Sequence, residues 1–174
     1  MSDAASEPAT APDHTGAVIV GVVPGEPARV VREAARFAKA LAVPLIVANV
    51  DVTRFVAYED PAGAVQTSPI DLSVAGREEE VAQIRREVAA ALEGCGVAWS
   101  LQQFVGDPAM AIKRLAEEVD ACMIVIGTRK RGLGESIREF FTGSVAVRLA
   151  HRQPRPVLVV PIGHLAADDE DLGW

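Results

Sequence analysis

A chain of 174 residues with 49% hydrophobic content is the size of one domain and can bury a sizeable core. Its formal net charge of -7 and pI near 5.0 argue against nucleic acid as a partner, because non-specific affinity for a polyanion rests on accumulated Lys and Arg. Cys95 and Cys122 form neither a disulfide framework nor a CxxC pair, and no apolar run approaches the roughly 20 residues of a membrane-spanning helix.

Residues 1–15 are rich in Ala, Pro, Ser and Asp without periodicity, which predicts a disordered tail. They lack the basic start and apolar centre of a signal peptide, so a cytoplasmic protein is expected. Ala17 to Val23 is a continuous apolar run, the pattern of a parallel strand covered on both faces, and Pro24-Gly25 ends it. Pro27 suits a first helical turn; Val30, Ala34, Phe37 or Ala38, and Leu41 then recur at helical spacing. Pro44 to Val50 reads as a second buried strand, which completes a βαβ unit.

Asp51 to Ser73 holds Pro61, Gly63 and Pro69 and shows no sustained period, so it reads as a long flap or a lid over a ligand. Val74 to Glu93 predicts an amphipathic helix with Val81, Ile84, Val88 and Leu92 on one face. Val97 to Val105 alternates, as a water-facing edge strand does. Asp107 is a good N-cap and Pro108 a good first residue for a helix whose face is Ala109, Ile112, Leu115 or Ala116, and Val119.

The region from Ala121 to Ile162 organises the rest. It reads as a buried strand (Cys122 to Ile126), a basic glycine-bearing loop (Gly127 to Gly134), a helix entered through Thr142-Gly143-Ser144, and an apolar strand (Val157 to Val160). A strand that ends in a glycine loop ahead of a helix N-terminus is the general construction of an anion site. Five strands alternating with four helices predict an open, doubly wound α/β domain over residues 16–162, followed by an acidic tail, 163–174.

Gly127-Thr128, Gly143-Ser144-Val145 and Arg155-Pro-Val-Leu-Val-Val-Pro161, with Gly106-Asp107-Pro108-Ala109 and the opening strand Val18 to Val22, resemble the signature of the universal stress protein family. The resemblance implies a parallel sheet of order 3-2-1-4-5, a crevice for ATP or AMP at the ends of strands one and four, and a homodimer paired through residues 156–161. The residues it assigns to the crevice are Val23, Val50, Ile126, Gly127, Gly143, Ser144 and Val145, and Arg129 and Lys130 join them for the charge they offer a phosphate. Three features depart from the family's ATP-binding pattern. Val23 stands where an aspartate is common, Lys130 replaces the second glycine, and the separation from Gly127 to Gly143 is three residues longer than the pattern.

A glycine admits backbone N–H groups to an anion and tolerates positive φ, whereas the Cβ of Lys130 resists both. Arg129, Lys130, Arg131 and Arg138 offer side-chain charge instead, and Gly132 and Gly134 lie nearby. There is no GxxxxGK[ST] loop, no GxGxxG fingerprint and no metal-ligand spacing among His14, His151 and His164. No residue set supports a catalytic reading. Two functions follow: a stress-response protein with an adenine-nucleotide crevice and a protein partner, or a dimeric interaction module of the same fold whose crevice no longer binds nucleotide.

Overall fold

A computed structural model of the chain describes residues 14–25, 28–51, 74–128 and 145–162. The expectations for residues 1–13, 26–27 (Pro27 among them), 52–73, 129–144 and 163–174 lie outside the described residues. The apolar runs become strands β1 (Val18–Val22), β2 (Leu45–Asp51), β4 (Met123–Gly127) and β5 (Val157–Val160), and the alternating run becomes β3 (Trp99–Val105). Between them stand helices α1 (Ala28–Leu41), α2 (Val74–Leu92), α3 (Pro108–Glu118) and α4 (Val145–Arg152). All four strand pairings are parallel and the order is β3-β2-β1-β4-β5, as expected.

Strand periodicity divides the core in two. Val18, Val20 and Val22 of β1, with Leu45 and Val47 of β2, pack under Val30, Val31, Ala34 and Ala38 of α1 and Ile84 and Val88 of α2. On the opposite face, Ala17, Ile19, Ile46, Ala48, Ile124 and Ile126 meet Ala109, Ile112, Leu115 and Ala116 of α3 and Leu149 of α4. A run that is apolar at nearly every position therefore feeds both layers, which is why β1 except Gly21, β2 up to Val50 and the core of β4 are buried. Gly21 sits where a Cβ would come 2.9 Å from Ile126 Cδ1 and 3.0 Å from Ile112 Cδ1. Its missing side chain sets how closely α3 approaches the sheet.

Helix boundaries follow their caps. Asp107 has extended backbone and its Oδ1 accepts from Met110 N at 2.9 Å, with Pro108 in the first turn, so α3 starts where the sequence predicts. Both candidates for its central face, Leu115 and Ala116, are buried. Leu41 departs from the expected core face of α1 and is 50% exposed. The helix ends there: Ala42 turns to φ 54, and Val43 N donates to Ala38 O to close the last turn. Among the described side chains of α2 the first buried one is Ile84, and Val81 is only half-buried. Four strands start one or two residues later than expected, β1 at Val18, β2 at Leu45, β3 at Trp99 and β4 at Met123, the last leaving Cys122 half-buried with its Sγ 3.7 Å from Ala17 O.

Candidate functional site

In an open parallel sheet the neighbouring strands whose connections leave for opposite faces part at their carboxyl ends, and a crevice opens there. Here those strands are β1 and β4: β1 leads into α1 on one face, while α4, on the other, follows β4. Their last register pair is Gly21 with Ile126, so Val22 and Gly127 stand one residue further on, at the lip. Val22 pairs with Asn49 on the other side, which sets Val23 and Val50 at the same edge.

The structure thus brings Val23, Val50, Ile126 and Gly127 to the carboxyl edge of three adjacent strands. Val50 and Ile126 are buried, and Val145, the first residue of α4, packs partly buried on the same cluster. Because α4 returns antiparallel to β4, its N-terminal end, whose first-turn N–H groups have no partner within the helix, lies at this edge. Val23 is 58% exposed, an apolar residue open to solvent at the crevice mouth. Arg129, Lys130, Gly143 and Ser144 lie outside the described residues.

Several contacts that hold this edge were not legible as site features. Asn49, buried within β2, donates from Nδ2 to Val22 O at 3.2 Å and ties the end of β1 to β2. Its only sequence signal is an amide inside the apolar run from Leu45 to Val50. Thr128 donates its N–H to Val160 O at 2.9 Å, and its Oγ1 accepts from Ile162 N at 2.7 Å, so the exits of β4 and β5 are fixed together. Gly106 N donates to Asp51 O at 2.9 Å and does the same for β3 and β2.

The base of the α3 and α4 pair is electrostatic. Arg148 Nη1 donates to Asp107 Oδ2 at 2.6 Å. Partial burial pushes the Asp107 carboxyl up, but the Arg148 hydrogen bond, the Met110 N–H and the Arg148 charge together outweigh it and hold the pKa below the ordinary carboxylate value. Asp107 is therefore committed to capping α3 and docking α4. At the opposite, amino edge of the sheet, Arg155 donates from Nε to Ala121 O at 2.8 Å and from Nη2 to Asp120 Oδ1 at 3.0 Å. Burial pushes the Cys122 thiol up, which favours its protonated form.

Among the described residues no group of three or more His, Cys, Asp or Glu side chains is placed to hold a metal ion, and no helix is long and apolar enough to cross a membrane. The edge as described offers apolar side chains, strand-end backbone and a helix N-terminus. That set suits a ligand with a flat apolar body and an anionic end.

Comparison with known proteins gives the same frame. The family model described as the universal stress protein family matches residues 16–161. No curated protein sequence matches the chain. Among solved structures, a member of the universal stress protein family from Burkholderia pseudomallei is 25% identical, with a TM-score of 0.55 over 87% of this chain and 100% of its own. A universal stress protein in complex with cAMP is 24% identical, with a TM-score of 0.57 over 85% of this chain and 98% of its own. The universal stress protein from Archaeoglobus fulgidus in complex with dAMP is 22% identical, with a TM-score of 0.56 over 84% of this chain and 98% of its own. With a family model spanning the five strands and four helices among the described residues, this chain belongs to the universal stress protein family.

Proposed function

We propose that this protein binds an adenine nucleotide in the crevice between β1 and β4 and acts as a non-enzymatic, dimeric, cytoplasmic stress-response protein that presents its liganded surface to a protein partner. The observation that carries the reading is the joint placement of Val23, Val50, Ile126, Gly127 and Val145 at one carboxyl edge, with the start of α4 beside them. Similar structures captured with cAMP and with dAMP support the ligand class. In this reading Val50 and Ile126 form the apolar wall for the base. Gly127 gives backbone access, and Gly143, Ser144 and the N-terminal N–H groups of α4 take the phosphate, with Arg129 and Lys130 adding charge.

Val23 and Lys130 weaken the site without abolishing it. Val23 has no acceptor for a nucleoside hydroxyl, and Lys130 restricts the loop where a glycine would let the backbone approach. Affinity in the micromolar range or weaker follows. The dimer rests on β5, the sheet edge next to β4, where Val159 is 44% exposed between Pro156 and Pro161. An open apolar edge is a template for pairing, and prolines at both ends limit its extent.

The second reading, an interaction module with an empty crevice, is favoured by the exposure of Val23. Nucleotides released by denaturing freshly purified protein and identified by mass spectrometry separate the two. AMP, cAMP or ATP in a fixed ratio to protein supports the first reading; their absence, together with no binding of added nucleotide, supports the second.

A further inference from the structure

The seam between α3 and α4 follows the line of the crevice. On that face of the sheet α3 packs on β1, β2 and β3, while α4 packs on β5 and against α3. Because β4 lies between β1 and β5, the two helices meet over the strands whose carboxyl ends part. Each helix follows a strand and runs back antiparallel to it, so both helices start at the carboxyl edge.

One charged contact crosses the seam at that end. Asp107, the cap of α3, receives the Met110 N–H on Oδ1 at 2.9 Å and Arg148 Nη1 on Oδ2 at 2.6 Å. The cap holds the carboxylate in place, so its second oxygen is a fixed point to which α4 is tied. The two side chains are 28% and 24% exposed, Arg148 and Asp107 respectively, which shields the pair from water more than an open surface pair is shielded. Among the described residues one other side-chain bond crosses the seam, from Arg152 Nη1 to Met110 Sδ, and it is 3.8 Å long and exposed.

Apolar burial anchors α4 lightly. Of its eight residues Leu149 is the buried one, with Val145 and Ala146 partly covered. A single buried knob keeps a short helix on the sheet but does little to stop it sliding or turning, because several interdigitating side chains are needed to fix a packing register. The ion pair, one residue before Leu149, supplies that register.

We infer that Asp107 and Arg148 are positioning residues of the nucleotide crevice: their pair fixes α4 on α3, and with it the place where the first-turn N–H groups of α4 meet the phosphate. The inference rests on the proposed function, and neither side chain has to touch the ligand.

The test is calorimetry of AMP and ATP on the full chain as wild type, Asp107→Asn, Arg148→Met and the double variant, at one ionic strength and below the melting temperature of each. Asn keeps an oxygen for the Met110 N–H and Met keeps most of the arginine stem, so neither change removes the α3 cap or the packing of α4. Positioning predicts that each single change weakens both nucleotides at least about threefold. The double variant should be no weaker than the weaker single one, because the two residues act as a unit.

The Asp107→Asn result decides by its sign. If Arg148 acted only through its charge on the phosphate, removal of the neighbouring carboxylate would tighten binding, and ATP more than AMP. Tighter binding in Asp107→Asn therefore overturns the inference. So do affinities within about threefold of wild type in the folded single variants, which is what a pair serving stability alone would give. Losses that multiply in the double variant overturn it too. A wild type that binds neither nucleotide overturns the proposed function and this inference with it.

Discussion

The buried amide of Asn49 donates to the main-chain oxygen of Val22, 3.2 Å away, and so fixes the end of β1 against β2 just before the chain reaches the crevice. Asn49→Leu keeps the volume but removes the donor, leaving a buried carbonyl one partner short, and should cost about 1–3 kcal/mol in urea denaturation. Asn49→Asp adds a pH dependence. A carboxylate facing a carbonyl oxygen in a buried place has its folded pKa raised above the unfolded value, so the folded state is penalised increasingly as pH rises above about 4. Its stability deficit relative to wild type should be larger at pH 7 than at pH 4.

Asp107 carries the opposite sign. Its folded pKa lies below its ordinary value, so its stabilising contribution is present above the unfolded pKa of about 3.9 and is lost as pH falls through the folded value. Asp107→Ala removes the cap of α3 and the Arg148 contact together, an expected loss of about 1–2 kcal/mol at pH 7. Asp107→Asn keeps the cap and loses the charge, so it should sit between the two and flatten the acid limb of the stability curve.

Ala42 adopts φ 54 directly after α1, in the left-handed region where a Cβ is strained. Ala42→Gly relieves that strain at an exposed position and should raise stability by up to about 1 kcal/mol, less whatever glycine adds to the freedom of the unfolded chain. Gly21→Ala should do the reverse, since its Cβ meets two buried isoleucine methyls at 2.9 and 3.0 Å; a loss of about 1–3 kcal/mol in thermal denaturation is expected.

The proposed dimer is tested at Val159, because Val160 is buried within its own subunit and a charge there would unfold the protein. Val159→Lys places a cation on the edge strand while leaving the core intact. Light scattering at tens of micromolar should give twice the chain mass for wild type and a mass shifted toward the monomer for the variant. A wild-type monomer contradicts the pairing.

The fold was legible because each strand and helix signals itself locally. Apolar runs such as Val18 to Val22 have no polar face to spare, and Asp107-Pro108 marks a helix start by its own chemistry. What failed locally was fixed by ends and neighbours. Leu41 kept the helical period but fell on the last turn, and Val81 kept it while staying only half-buried. At the site, Val23, Val50, Ile126, Gly127 and Val145 were assigned by resemblance, and their shared edge follows from topology. Asn49 and the Asp107 to Arg148 pair were not legible. Their partners are 27 and 41 positions away in sequence, and a single amide or arginine does not announce which strand or helix it will meet.

The most direct measurement of the central claim is isothermal calorimetry of AMP, cAMP and ATP on wild type, Val23→Asp and Gly143→Val. The account predicts saturable binding with a dissociation constant of roughly micromolar or weaker. Binding should tighten in Val23→Asp, which restores a polar acceptor at the β1 lip, and be lost in Gly143→Val, which obstructs the phosphate end at the entry to α4. No heat from any of the three nucleotides with wild type, or binding unchanged by Gly143→Val, would contradict it.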